Sequence, residues 1–235
     1  MSTIHFIGGE KGGVGKSVLS RLLSQYFLDK SLTYVGLDCD QSHATLTRYY
    51  KEFTRSINLD QYEETDQIIE LALEEDQKVV IDLPAQSERF LDRWMEDSDV
   101  IELCAEMEIP VVYWYVVDDG RDSVQLLNKF LHKYKNMLNV VVVKNAGRGV
   151  DFSELEALPV LSGHDGNTKL LQVTLPALHG GSIRKIDKLN FSFWAAINVK
   201  SGDDQHLSLM ERQRTKLWVK HTYEMFDKAL GTIRA

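Results

Sequence analysis

Lys16 and Ser17 close a glycine-rich run, Gly8-Gly9-Glu10-Lys11-Gly12-Gly13-Val14-Gly15, that follows the short segment Ile4–Ile7. Immediately after it, Val18, Leu19, Leu22, Leu23 and Phe27 recur at helical spacing. Closely spaced glycines let a backbone wrap a phosphate chain, and the first amides of a helix point free N–H groups at it. In such a cradle, built here from Gly12 through Val18, Lys16 sets a cation against the β and γ phosphates and the Ser17 hydroxyl coordinates Mg²⁺. The general pattern G-x-x-x-x-G-K-[ST] is met at its end by Gly15, Lys16 and Ser17, while its opening glycine falls on Glu10.

Acids at the ends of two further apolar runs extend this chemistry. T-Y-V-G-L at 33–37 ends in Asp38-Cys39-Asp40-Gln41, and K-V-V-I at 78–81 ends in Asp82-Leu83-Pro84-Ala85. Acids at the end of a buried strand are costly unless they serve a cation or water. Asp40 is the candidate for positioning the attacking water, Asp38 for the metal shell or Lys16, and Asp82 for holding Mg²⁺ through water. A further run, N-V-V-V-V-K at 139–144, ends at Asn145, whose amide has the donor and acceptor needed to read a purine edge and is equally at home in a turn.

Lys11-Gly12-Gly13-Val14-Gly15-Lys16-Ser17 matches all six specified positions of K-G-G-x-G-K-[ST], the deviant Walker A motif, so the chain resembles the ParA/MinD family of P-loop ATPases. The resemblance implies a three-layer α/β fold with a mostly parallel sheet, ATP and Mg²⁺ as ligands, and an ATP-dependent homodimer. In that dimer Lys11 would reach the partner's phosphates. D-C-D-Q resembles the family's D-x-D-P-Q segment, which ties Asp40 to hydrolysis with Asp38 as its companion; the proline is missing, and Ser42-His43 replaces a glycine-asparagine pair. D-L-P-A resembles a D-x-P segment that moves on nucleotide exchange. The family also implies base reading by Asn145 and adenine contact at Pro176, a proline that would serve equally to close a strand. Glu10 stands where a glycine is usual. No N-K-x-D follows Asn145, which favours ATP over GTP. The compact relatives implied are plasmid partition, stability or mobilisation accessory ATPases, slow until stimulated by a partner.

Composition narrows the setting. The 235 residues, 43% hydrophobic and 26% charged, suit one α/β domain over 1–235. With no apolar stretch of 18 residues and a polar N-terminus, a cytoplasmic protein is expected. Cys39 and Cys104 form no C-x-x-C or C-x-C pair, which disfavours both a disulfide framework and a metal-cofactor insertion ATPase. Net charge is −8, yet residues 60–110 alone carry 17 Asp or Glu against 3 Lys or Arg. A nucleic-acid binder shows a concentrated basic footprint. Here Lys51, Arg55, Lys129, Lys133, Lys135, Arg184, Lys185, Lys188 and Lys200 are scattered, so any DNA contact should be non-specific and phosphate-directed or pass through an adaptor.

The elements that must position these residues read as strands near 4–7, 33–37, 57–59, 78–82, 109–117, 139–144 and 169–175, with a turn at 162–167. Helices are expected after Lys16 and over 62–75, 86–107, 119–135, 151–156, from about 181 through Leu189, and 206–230. Leu103 is assigned to the packing set of the third. Arg48, Tyr49, Tyr50, Lys51, Phe53 and Arg55 mix aromatics with cations and could stack bases, seat a partner or cover a sheet edge. His43 is a candidate contact for nucleotide or partner. Residues 200–235 carry 7 basic and 5 acidic groups, so the last helix should cover the sheet rather than enter a membrane. An alternative task is spatial regulation or assembly, with the ATPase docking on a protein machine.

Overall fold

A computed structural model describes residues 1–41, 44–162, 170–200 and 205–234. His43 and nearly all of the turn expected at 162–167 lie outside the described residues. The centre is a seven-stranded sheet in the order β3-β2-β4-β1-β5-β6-β7, formed by β1 (Thr3–Gly8), β2 (Tyr34–Asp38), β3 (Thr54–Ser56), β4 (Lys78–Asp82), β5 (Val111–Val117), β6 (Asn139–Asn145) and β7 (Leu170–Leu175). Every pairing is parallel. Parallel strands need crossovers that place helices on both faces, which is why β4, β5 and β6 are nearly continuous β-branched or aromatic runs.

Alternation along each strand divides the core in two. Ile4, Phe6, Val79, Ile81, Tyr113 and Tyr115 face one layer; Ile7, Val80, Val112, Trp114 and Val116 face the other. The first layer is closed by α4 (Gln67–Glu74), α5 (Glu88–Asp97), α6 (Val100–Glu106) and α7 (Arg121–Tyr134). The second is closed by α1 (Lys16–Asp29), α10 (Gly180–Lys188), α11 (Phe193–Asn198) and α12 (Leu209–Arg234). Short helices α2 (Thr45–Tyr49), α3 (Tyr62–Thr65), α8 (Ser153–Glu156) and α9 (Pro159–Ser162) complete the connections. The chain therefore has the three-layer α/β architecture expected.

Several boundaries differ from expectation. The edge strand lies at Thr54–Ser56 rather than 57–59, because β2 ends at Asp38, opposite Ser56, and turns away. The Ile57 amide takes the last available carbonyl, that of Asp38, at 3.1 Å, and Ile57 and Leu59 plug the core instead. The helix expected over 62–75 breaks at Asp66, whose carboxylate accepts from the Trp94 indole at 2.8 Å. The one over 86–107 breaks at Asp99, held at φ 48°, and Leu103 is 40% exposed rather than packed. The helix expected over 119–135 begins at Arg121 on Gly120, with no side-chain cap. Helix α11 carries no strong periodic signal; it starts where the Ser192 hydroxyl accepts from the Ala195 amide.

The last helix is part of the core. Trp218, Val219, Phe226, Ala229 and Leu230 are buried, Phe226 meets Trp114 of β5 edge-on at 5.5 Å, and the Trp218 indole donates to the Pro176 carbonyl at 2.6 Å. No helix among the described residues is long and apolar enough to cross a membrane. Truncating a fully buried phenylalanine leaves a cavity and costs about 3–5 kcal/mol. Phe226→Ala is therefore expected to lower unfolding free energy by about that amount in urea melts; a loss below about 1 kcal/mol would contradict docking of this helix.

Candidate functional site

The phosphate-loop residues and the strand-end residues lie at the carboxyl edge of the sheet. The glycine loop follows β1, Asp38 ends β2, Asp82 ends β4, Asp118 follows β5, Asn145 ends β6 and Pro176 follows β7. Helix α1 crosses over β4 before the chain reaches β2, so the end of β4 lies beneath its first turn. Binding at such a rim follows from parallel topology, since helices that start there all direct their amides toward one crevice.

The loop is shaped by left-handed backbone at Gly9, Gly13 and Gly15, with φ of 140°, 78° and 106°. A side chain at Gly9 would also lie 2.7 Å from the Val116 carbonyl, and one at Gly15 would collide with the Asn145 amide. The buried Lys16 ammonium turns back across the loop to the carbonyls of Gly9 at 2.9 Å and Lys11 at 3.0 Å. Burial pulls its pKa down, opposed by the charges of Asp82, Glu10 and Asp40. A cation so placed, surrounded by the amides of Gly12 through Val18, suits a phosphate chain.

Asp82 is buried under that turn. Its Oδ1 accepts from the Ser20 hydroxyl at 2.8 Å, whereas Oδ2 has no partner among the described residues. Burial pushes its carboxyl up to about 7; Ser20, Ser17 and Lys16 pull the other way, and Asp38 adds to the rise. A desolvated carboxylate oxygen without a donor, beside the Ser17 hydroxyl, fits a divalent cation held through water. Ser20, one turn beyond Lys16, is a contact the sequence reading missed. Its position on the Lys16 face of α1 is the signal that would have found it.

Asp38 does something other than reach Lys16. Its oxygens accept from the backbone amides of Asp40 at 3.1 Å and Thr47 at 2.9 Å, so the carboxylate shapes the turn that carries Asp40. Asp40 lies close enough to raise the Lys16 pKa. Asn145 likewise turns inward: its amide nitrogen donates to the Val14 carbonyl at 2.7 Å and its oxygen accepts from the Gly147 amide at 3.0 Å. It braces the phosphate loop against β6, a tertiary contact that strand-end position alone does not reveal.

Two adjacent loop residues are tied to their own chain. Glu10 accepts from the Glu88 amide at 3.0 Å, joining the loop to the start of α5 just after the Pro84-Ala85 segment. Lys11 pairs with Asp118 at 2.9 Å. Asp118 follows an apolar strand just as Asp82 does, the signal by which it too is legible.

Loop, strand order and strand-end acids define a P-loop NTPase. No family model matches the chain. Among curated proteins it is 30% identical to protein MobD of Acidithiobacillus ferrooxidans over 150 residues, 63% of this chain and 65% of that one. That match therefore spans just under two thirds of MobD. It is 27% identical to protein TraL of Escherichia coli over 243 residues, 97% of this chain and 99% of the relative. Among solved structures it matches the septum site-determining protein MinD of Pyrococcus horikoshii, complexed with Mg-ADP, at TM-score 0.57 and 12% identity, over 94% and 96% of the two chains. It matches pNOB8 ParA bound to nonspecific DNA at TM-score 0.54 and 12% identity, over 100% and 99%. At these identities the solved structures show the fold that the chain shares with the MinD and ParA proteins.

The Asp82 environment yields a stability test. An ordinary Asp titrates near 3.9, so between about 4 and 7 the folded chain keeps a proton the unfolded chain has released, and stability falls as pH rises through that window. In magnesium-free buffer the parent should lose thermal stability from pH 4.5 to 7.5, while Asp82→Asn should lose less. Parallel profiles for the two proteins would contradict a carboxyl desolvated in this way.

Proposed function

We propose that residues 1–235 form one Mg²⁺-dependent ATPase domain whose ATP-bound form is a dimer, acting in plasmid or DNA partition, stability or mobilisation. The observation that carries this reading is the loop itself: a buried Lys16 folded over its carbonyls, Asp82 beneath it with a free oxygen, and Lys11 at its outer edge. The relatedness to MobD and TraL supports the mobilisation setting, and the likeness to a ParA solved on nonspecific DNA supports phosphate-directed DNA contact.

The reaction is attack of water on the γ-phosphorus of ATP. Lys16 and the loop amides hold the phosphates and neutralise charge that develops on the transferred group. Asp40, carried on the turn that Asp38 braces, orients the water. Lys11 of a second copy completes the charge balance, which keeps an isolated chain slow. When bound, Mg²⁺ at Ser17 and Asp82 adds positive charge to the phosphate chain. The Pro176 carbonyl is held by Trp218, which sets the backbone beside the base site.

A second reading, a regulator that docks on a protein machine, draws on a groove of about 390 Å³ between α2 and α11. It is lined by Arg48, Tyr49, Lys51, Phe53 and Trp194, with Trp194 56% exposed. This surface suits a protein adaptor or activator as well as a nucleobase. A metal-cofactor role is disfavoured by the thiols: burial raises Cys39 well above its ordinary range and Cys104 to about 11. A cytoplasmic site of action fits these ligands.

Size analysis with ATP or ADP, with and without duplex DNA, tests the reading. ATP should promote a dimer that Lys11→Ala weakens while the monomer still binds nucleotide; dimerisation indifferent to both would sink it. Salt-sensitive, ATP-dependent binding to arbitrary duplex DNA favours partition or mobilisation, and ATP-dependent capture of one protein without DNA binding favours docking. Asp40→Ala should bind ATP but turn over about a hundredfold more slowly, the scale of a lost water-orienting group. Unchanged turnover removes Asp40 from the mechanism.

A further inference from the structure

Lys11 is not loose at the rim of the loop. Its ammonium meets both oxygens of Asp118, at 3.1 and 2.9 Å, with the lysine 31% and the aspartate 17% exposed. Asp118 is itself fixed by two further donors, the Gly120 amide at 3.0 Å and the Ser123 hydroxyl at 2.6 Å. Gly120 leaves room for the pair, since a Cβ there would lie 2.6 Å from the Lys11 ammonium. Partial burial raises the Asp118 carboxyl, but the bonds from Ser123, Lys11 and Gly120 outweigh it and leave the group below its ordinary range. The pair is thus a preformed, charge-assisted contact rather than two side chains meeting by chance in solvent.

An ammonium that holds both oxygens of Asp118 has one N–H left, so a full grip on a phosphate of another chain requires it to let go of the carboxylate. We propose that Asp118 is a positioning residue that stores Lys11 against its own chain, so that a second copy's triphosphate must displace the carboxylate before the dimer closes. This rests on the dimer reading above. Storage makes closure selective for charge at the far end of the nucleotide: a γ-phosphate is a doubly charged anion at that position, whereas the charge of a diphosphate ends one phosphate short of it. It also shields an isolated chain from pairing without nucleotide. Dimer formation then carries the cost of one partly exposed ion pair on each side, about fivefold in affinity for each at the upper end of such pairs.

Sedimentation of the parent, Asp118→Asn, Ser123→Ala, Lys11→Ala and the Lys11→Ala/Asp118→Asn double variant, each with MgATP or MgADP, tests this. Asparagine keeps the shape of Asp118 and an oxygen for Gly120 and Ser123, and thermal melts check that each variant folds. Asp118→Asn should dimerise with ATP at about five- to twentyfold lower protein concentration than the parent and should gain measurable dimer with ADP. Ser123→Ala, which loosens Asp118 but leaves its charge, should shift the same way by less. The double variant should behave as Lys11→Ala alone. Equal dimer affinities for the parent and Asp118→Asn would refute storage while leaving the ATP-dependent dimer intact. An Asp118→Asn effect that persists without Lys11 would also refute it. A parent that stays monomeric with ATP would remove the dimer reading, and storage with it.

Discussion

The arrangement depends on a buried ammonium bonded to two carbonyls of its own loop. Lys16 joins Gly9 and Lys11 across the turn, and this is possible only because Gly9, Gly13 and Gly15 adopt left-handed backbone closed to most other residues. With its carbonyls drawn toward Lys16, the loop leaves its amides directed to the rim. The same burial that desolvates Lys16 desolvates Asp82 beneath it, and their mutual attraction opposes that desolvation without cancelling it at either group.

The sheet supplies the rigidity this loop lacks. Asn145 pins Val14 from the end of β6, Glu10 caps α5, and Ser20 bonds Asp82. Asn145 and Glu10 join the loop to β6 and to α5, and Ser20 joins the helix that follows the loop to the end of β4. Glu10 adds a link of its own, since its carboxylate accepts from the Glu88 amide at the start of α5. Lys11 and Asp118 form the outermost link.

Charge is distributed in keeping with this division of labour. The acidic excess of residues 60–110 lies on helices α3 to α6 and the segments between them, and α4 to α6 pack on the face of the sheet opposite α1 and α12. The cationic and aromatic groove beside α2 lies at the other side of the sheet edge, near Arg21, which is buried between Tyr49 and Phe193 and paired with Asp187 at 2.8 Å. Helices α1, α2, α10 and α11 are thereby coupled around one guanidinium. The C-terminal helix covers the sheet as expected and enters the core through Trp218 and Phe226.

How much of this the chain declares for itself differs by level. The parallel sheet, and the glycine loop and acids at its strand ends, are legible because each rests on a local rule: apolar runs too continuous to face water, glycine spacing, and an acid after a β-branched run. Local rules fail where an element lacks its own signal, as at Thr54–Ser56, whose extent is set by where β2 stops, and at α11, which is held by neighbours. They fail again for side chains whose partner is distant in sequence. Asn145 reads equally as a purine contact or a turn residue and Asp38 as a partner for the metal shell or Lys16; the fold adds backbone partners for both that strand-end position does not show, because a buried polar group must find a partner. Sequence alone determined which chemistry the loop can perform, since that depends on residue type and spacing. Only the tertiary structure decided which charges stand free and which are already engaged, since strand order brings Asp118 to Lys11 and Asn145 to Val14 across more than a hundred residues.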